Sequence, residues 1–480
     1  IEEKQKLVPV VDPDSKNLAG IISRGDLLRV LHRDIVSNEF DTQRLFDGKS
    51  GSMKNVKGLL KERLQKEVMA LLDSIAQIAD REKVDVYVVG GFVRDLLLNI
   101  QNLDIDLVVE GDGIAFAKTL AREFNGRAKS HAKFGTSVVL LKDRSRIDVA
   151  TARMEYYSHP GALPKVERSS VKSDLFRRDF TINSMAVKLN GQGAFCLIDY
   201  FNGAVDLKEG SIRVLHNLSF IEDPCRIFRA IRFEQRFNFR IGRQTRAFMK
   251  SAIKNNLVNQ LSGTRLMNEL KLLLLESDPV KCLDRMRELS LLYLIAPDIA
   301  EDDSHKLVLE KIDGVLTWAK MVPMSKKPEA WFVYFHALFI VMKNAAFEKA
   351  MERLHIPMKI RIRMRADREH FIQAKHEFNG GRELKPSEVY DVLSGLSTEA
   401  VILLLAVCSN EQVNKHATLY FNQYCASAKT ELTGEDLIGM GMEPGPVFQD
   451  VFKSLQDARV NGQVTSRDEE VVLVESQFLK

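Results

Sequence analysis

The run from Val84 to Val109 constrains the fold more than any other part of the chain. Val84-Asp-Val-Tyr-Val-Val89 has the β-branched, alternating character of a strand, Gly90-Gly91 makes a turn, and Phe92 to Leu98 reads as a helix. A second strand, Asn102 to Val109, follows, then a helix from Ile114 to Phe124. Ser137 to Leu141 and Arg146 to Ala150 form a hairpin around Lys142-Asp-Arg-Ser145. This alternation predicts a small α/β domain with a mixed sheet. Upstream, Leu59 to Ala79 reads as one amphipathic helix behind a Gly/Ser-bearing linker at Asp47 to Asn55. From about Val214 onward helical periodicity takes over with almost no strand signal and no repeat of fixed period.

The same run carries the sharpest chemistry. Gly90 and Gly91 let backbone N–H groups approach a phosphate with no Cβ in the way, and the helix N-terminus behind them adds positive potential. Arg94, one turn along, is expected to contact the same phosphates. Asp104 and Asp106 are two residues apart on a strand, so they project from one face, about 6–7 Å apart at Cα. Two carboxylates on one face of an apolar strand repel each other unless a cation lies between them. The expected ion is Mg²⁺, with a two-metal site for phosphoryl transfer. Asp148, on the hairpin strand with Ile147 and Val149 facing the other way, is a third carboxylate, able to complete that site or orient an attacking hydroxyl.

With 480 residues the chain is too long for one core, and 45% hydrophobic residues with 69 Lys+Arg against 65 Asp+Glu exclude a disordered protein. The net charge of +4 hides strong local imbalance. Between Ser211 and Lys254, ten cations (Arg213, Arg226, Arg229, Arg232, Arg236, Arg240, Arg243, Arg246, Lys250, Lys254) face three acids (Glu222, Asp223, Glu234). A second run holds Lys359, Arg361, Arg363, Arg365 and Arg368 against Asp367. Both suit an RNA backbone, whereas the interleaved Phe228, Phe233, Phe237 and Phe239 read as core. No apolar stretch reaches the roughly 18 residues of a membrane span, so no membrane partner is expected. The five cysteines lack CxxC spacing and read as buried hydrophobes in a reducing cytoplasm. The Ile-Glu-Glu-Lys start, with neither initiator Met nor an apolar leader, suggests a piece of a longer chain.

Several further strings follow in order. They are Arg177-Arg-Asp-Phe-Thr-Ile-Asn183, Asp199-Tyr-Phe-Asn-Gly203 with Asp206-Leu207, Glu222-Asp-Pro-Cys-Arg226 running on to Arg232-Phe233, and Ser262-Gly-Thr-Arg265 to Glu269. Together with Gly90-Gly-Phe-Val-Arg-Asp95 and Asp104-Ile-Asp106 they resemble the class II tRNA nucleotidyltransferases, which include CCA-, A- and CC-adding enzymes, and the bacterial poly(A) polymerases derived from them. The resemblance is strong over about residues 60 to 275 and weaker at Leu432-Thr-Gly-Glu-Asp-Leu437 with Pro444-Gly-Pro446. It implies an α+β fold: a polymerase β-type nucleotidyltransferase head with a mixed sheet, then all-helical neck, body and tail. It also implies roles. Arg178, Asp179 and Asn183 would meet the ribose and phosphates, Asp179 by accepting from the 2′-hydroxyl. Asp223 and Arg226 would template the base on one broad helix face, with Arg229 and Arg232 nearer the triphosphate. A flexible loop from Tyr156 to Ser173 would shift specificity from C to A, coupled to the site through Arg153 and Glu155.

The opening residues, strands Leu7 to Val11 and Leu18 to Ile22 with Asp26 starting a helix through Leu31, resemble the end of a CBS domain. There Ser23 and Asp26 would hold a nucleotide ribose, and Asp26 is equally readable as a plain helix N-cap. The expected organisation is a truncated CBS-like segment 1–35, linker 36–60, catalytic head 61–210, neck 211–275, body 276–430 and RNA-binding tail 431–480. The expected activity is template-independent addition of AMP from ATP to a tRNA 3′ end with release of pyrophosphate. Use of CTP is left open, and a poly(A) polymerase acting on other RNA 3′ ends is the alternative. The oligomeric state is not legible.

Overall fold

A computed structural model describes residues 7–12, 15, 18–23, 54–101, 104–156, 164–301, 304–324, 326–380, 382–408 and 411–479. The chain forms two compact units, 1–261 and 262–480. The polypeptide from 211 to 261 falls in the first unit, with the sheet-bearing head. Backbone bonds hold it there. Thr181 N–H donates to Arg213 O at 2.9 Å, and Phe180 bridges to Val214.

In the first unit, strands β1 (Leu7–Val11) and β2 (Leu18–Ser23) pair antiparallel. The expected helix from Asp26 lies outside the described residues, and an antiparallel ribbon alone does not identify a CBS module. The single helix expected from Leu59 to Ala79 is two, α1 (Lys57–Arg63) and α2 (Lys66–Glu82), because Leu64 and Gln65 are extended. Arg63 at the break donates to the carbonyls of Leu96 and Leu97, a tertiary tie that no Gly or Pro announces.

The central sheet has seven strands. In chain order they are β3 (Asp85–Val89), β4 (Ile105–Glu110), β5 (Arg127–His131), β6 (Thr136–Leu140), β7 (Arg146–Thr151), β10 (Ala186–Lys188) and β11 (Leu197–Ile198). They lie in the order β11-β10-β3-β4-β7-β6-β5, with β4 and β7 parallel and every other pair antiparallel. The sheet is mixed, as the strand pattern predicts. Leu107, Ile147 and Val149 are fully buried. Helices α3 (Gly91–Leu98) and α4 (Gly113–Glu123) lie between strands, where the glycine turn and the apolar spacing put them. The core that includes Tyr87, Val89 and Val108 receives Val171, Leu175 and Phe176 of α5 (Val171–Phe176). Residues 156–173, expected to be a flexible loop, instead include a two-stranded ribbon, β8 (Arg153–Tyr156) with β9 (Lys165–Arg168), and the start of α5. Its tip, 157–163, lies outside the described residues.

After α6 (Gly203–Glu209) come α7 (Ser219–Glu222), α8 (Cys225–Phe237) and α9 (Arg243–Lys254), with a two-residue parallel pair between Ser211–Ile212 and Arg240–Ile241. Every regular element among the described residues of the second unit is a helix. No single helix among the described residues is long and apolar enough to cross a membrane.

Candidate active site

The parallel pairing of β4 and β7 sets Asp106 beside Asp148, register partner to register partner. Asp104 sits two residues before Asp106 at the entrance of β4, exposed. All three carboxylates thus lie on one face of the sheet at its interior strands β4 and β7, and that face continues to Val108 under α5. Burial raises the pKa of Asp106, Asp148 and Asp104 raise it further, and Arg178 opposes them. This is a carboxylate that gains from a neighbouring cation. Arg146 already takes one: its Nε and Nη2 donate to the two oxygens of Asp148 at 3.0 and 2.5 Å.

Arg178 crosses the glycine turn. A Cβ on Gly90 would lie 2.6 Å from Arg178 Nη1, and Gly90 has φ +68°, so both the close approach and the backbone conformation call for glycine. The Gly90 N–H does not wait for a phosphate: it donates to Met185 O at 3.1 Å. The N–H groups of the first turn of α3, which have no intrahelical acceptors, are those left to an anion.

A buried chain of hydrogen bonds runs behind this face. Arg94 grips Asp95 through Nε and Nη2 and donates from Nη1 to Asn183 Oδ1 at 2.7 Å. Asn183 Nδ2 donates to Asp179 Oδ1 at 2.9 Å, and Asp179 Oδ2 accepts from Arg229 Nε at 2.7 Å and Nη2 at 2.5 Å. The Phe180 N–H fills the last place on Oδ1. Burial opposes the Asp179 charge, but Arg229, Asn183 and Arg226 outweigh it and hold its pKa at about 2. The network is anchored from below: Asp199 accepts from Gly203 and Ala204 N–H, and Asp206 from Thr181 Oγ1, with Gly203 packed where a Cβ would meet Thr181 O at 2.3 Å.

With this geometry in hand, comparison with known proteins is direct. Residues 86–213 match the poly(A) polymerase head domain family, and residues 238–303 the family described as the probable RNA- and SrmB-binding site of polymerase A. An A-adding tRNA nucleotidyltransferase of Geobacter sulfurreducens is 42% identical over 98% of this chain and 54% of its own length. That of Halalkalibacterium halodurans is 30% identical over 86% of this chain and 94% of its own. The chain belongs to the tRNA nucleotidyltransferase family. A solved CCA-adding enzyme in its apo form superposes with TM-score 0.76 at 34% identity, covering 88% of this chain and 99% of that one. A Thermotoga maritima CCA-adding enzyme complexed with tRNA gives 0.69 at 32%, covering 89% and 99%. The chain spans about half the length of the Geobacter relative.

In this chain the expected site residues part into two groups. Asp104, Asp106, Asp148 and Arg178 gather on one sheet face at β4 and β7. Arg94 does not: it is 5% exposed, stacked 4.8 Å from the Phe237 ring and spent on Asp95 and Asn183, so it braces α3 against α8 rather than reaching phosphates. Asp179 has all four acceptor positions filled, so a ribose hydroxyl would have to displace one of its donors. Arg226 is 4% exposed and donates to Ser219 Oγ and Arg177 O. Asp223 lies on no helix face, because Pro224 starts α8 afresh and Asp223 accepts from Cys225 N–H at 3.1 Å. The broad face of Asp223, Arg226, Arg229 and Arg232 is therefore interrupted. Arg229 is one third exposed and Arg232 is buried over Phe233. Arg153 and Glu155 do join the ribbon base to the site: Glu155 Oε1 accepts from Arg153 Nε and from Arg177 Nη1 at 2.8 Å.

Sequence reasoning missed Asp174, and it named Arg177 and Glu222 only as members of longer strings, with no role of their own. The signal for the first was present, since acids three and four residues before an arginine are neighbours on a helix. Glu222 is pushed up to about 7 by burial, with Glu155 and Asp223 adding to the effect and Arg226 opposing it. Among the described residues no group of three or more His, Cys, Asp or Glu forms a ready metal cage. Asp104 and Asp106 nevertheless fit Mg²⁺, which takes one or two carboxylates and completes its shell with water and substrate phosphates. Burial first, and then repulsion from Asp148 and Asp104, raise Asp106, and the charge of such an ion opposes both.

Proposed function

We propose that this protein adds AMP from ATP to the 3′ end of tRNA in the cytoplasm, without a nucleic-acid template, releasing pyrophosphate. The observation that carries the reading is the gathering of Asp104, Asp106, Asp148 and Arg178 on one face of the sheet at β4 and β7, in a chain 42% identical to an A-adding enzyme. The primer 3′-oxygen forms a bond to the α-phosphorus, and the bond to the β-phosphate bridging oxygen breaks. Asp104 and Asp106 would hold Mg²⁺, which supplies charge neutralisation for the triphosphate and a more acidic 3′-hydroxyl. Asp148, steadied by Arg146, is placed beside Asp106 to accept a hydrogen bond from that hydroxyl. Arg178 turns its charge toward the phosphates across Gly90. Arg229, fixed by Asp179, offers the partly exposed guanidinium nearest that network for the base or ribose. The exposed cations of α9, Arg243, Arg246, Lys250 and Lys254, recur on one side of the helix and supply an RNA-backbone contact.

The test offers tRNA transcripts ending before C, after CC and after CCA, and an unrelated RNA, each with ATP or CTP alone. One A added only to the CC-ending transcript is the expected result. Incorporation of C would extend the reading to CCA addition, and long A tails on every RNA would replace it with polyadenylation.

A further inference from the structure

We propose that Asp174 is a positioning residue, which aims Arg178 at the triphosphate and locks that arginine to the ribbon base and to α8; the proposal rests on the nucleotidyl-transfer reading above. Asp174 is wholly buried in α5, flanked in sequence by core residues Val171, Leu175 and Phe176. Its Oδ2 accepts from Arg178 Nη2 at 3.0 Å. Its Oδ1 accepts from Arg177 Nε at 2.9 Å and Nη2 at 2.7 Å, and from the Arg153 main-chain N–H at 3.4 Å.

Each of these contacts leads to the site. Arg178 is placed from two sides: Asp174 holds Nη2, and Gly90 leaves room for Nη1. Its side chain is 18% exposed, so the guanidinium keeps an open face while its position is fixed from behind. Arg177 carries the other half. Its Nη1 donates to Glu155 at the ribbon base, and its carbonyl accepts from Arg226 Nη2 at 2.7 Å. One buried carboxylate thus joins the phosphate-facing arginine, the ribbon and the first turn of α8. A buried anion is costly to desolvate, and apolar side chains of similar volume often replace such groups without loss of stability. Orienting Arg178 is what an apolar residue at 174 would not do.

The experiment measures steady-state kinetics of AMP addition to a CC-ending tRNA, with the tRNA Kd measured separately, for the wild type, Asp174→Asn, Arg178→Ala and the double variant. The proposal requires that Asp174→Asn raise the KM for ATP about tenfold or lower kcat by as much, with the tRNA Kd within twofold. It also requires the double variant to be no worse than Arg178→Ala alone, because the two residues act as one unit. Additive losses, or kinetics within twofold of wild type, overturn it. Should Asp174→Asn not fold, Asp174→Glu carries the test: it keeps the charge, moves the carboxylate by one methylene, and must show the same ATP defect; unchanged kinetics overturn the proposal. A wild type that incorporates no AMP removes the nucleotidyl-transfer reading itself, an outcome distinct from a wild type and Asp174→Asn that are equally active.

Discussion

Asp179 shows how single residues divide the work in this head. Its carboxylate is saturated by Phe180 N–H, Asn183 and the Arg229 fork, so its task is to hold Arg229 rather than to wait for a ligand. Asp179→Asn breaks the charged hydrogen bonds to the partly exposed Arg229 guanidinium and is expected to lower the unfolding free energy by about 1.5–3 kcal/mol in urea titration. Its pKa of about 2 is depressed, so its stabilisation is present above pH 3.8 and is lost as pH falls through about 2. Glu222 works in the opposite sense. Folding raises it from 4.5 to about 7, so its contribution is complete below pH 4.5 and is lost as pH rises through 7. Glu222→Gln, which mimics the protonated acid, should gain roughly 2–3 kcal/mol over wild type at pH 8 and little at pH 4.5, read from paired urea midpoints. A difference independent of pH would contradict the assignment. At this scale the sequence states residue type and spacing but not burial. Asp104, Asp106 and Asp148 were legible because alternation places them on one face. The engagement of Arg94, Asp179 and Arg226 was not, since their partners lie 89, 50 and 49 residues away in the chain.

Elements differ in how plainly their ends are written. The β3 turn into α3 is marked by Gly90, and α8 begins at a proline, so the break at Asp223-Pro224 was available to a reader who weighed Pro224 before the spacing of the arginines. The break at Leu64-Gln65 carries no such mark and depends on Arg63 reaching α3. The two basic runs separate in the same way. On α9 the cations are exposed, whereas on the helix Met358–Asn379 the four arginines of the run are engaged by groups of the protein itself. Arg361 bonds the carbonyls of Met351 and Ile356, Arg363 pairs with Glu399, Arg365 with Glu348, and Arg368 caps the carbonyls of Phe339, Ile340 and Met342. Replacing Arg246 and Lys250 together by Ala is therefore expected to weaken tRNA binding and reduce the slope of log K against log salt by about 2. Arg365→Ala should leave both unchanged. Filter binding across a salt series distinguishes them, and a loss from Arg365 equal to that from the α9 pair would contradict the division.

At the scale of the whole molecule, the charge of +4 joins two unlike units, 42 Lys+Arg against 33 Asp+Glu in 1–261 and 27 against 32 in 262–480. The order of strands was not legible, because pairing between β4 and β7 joins residues about 40 apart and depends on the crossover through α4, β5 and β6. That pairing is nevertheless what brings Asp148 to Asp106, so the central claim, a carboxylate face that transfers AMP, stands on topology as much as on motif. Its most direct test is single-turnover incorporation of AMP from ATP into a CC-ending tRNA by wild type and by Asp106→Asn, with tRNA affinity measured on both. Wild type should add one A, and Asp106→Asn should lose at least about a thousandfold in rate while its tRNA Kd stays within twofold. Incorporation by Asp106→Asn at a rate near wild type would contradict the account.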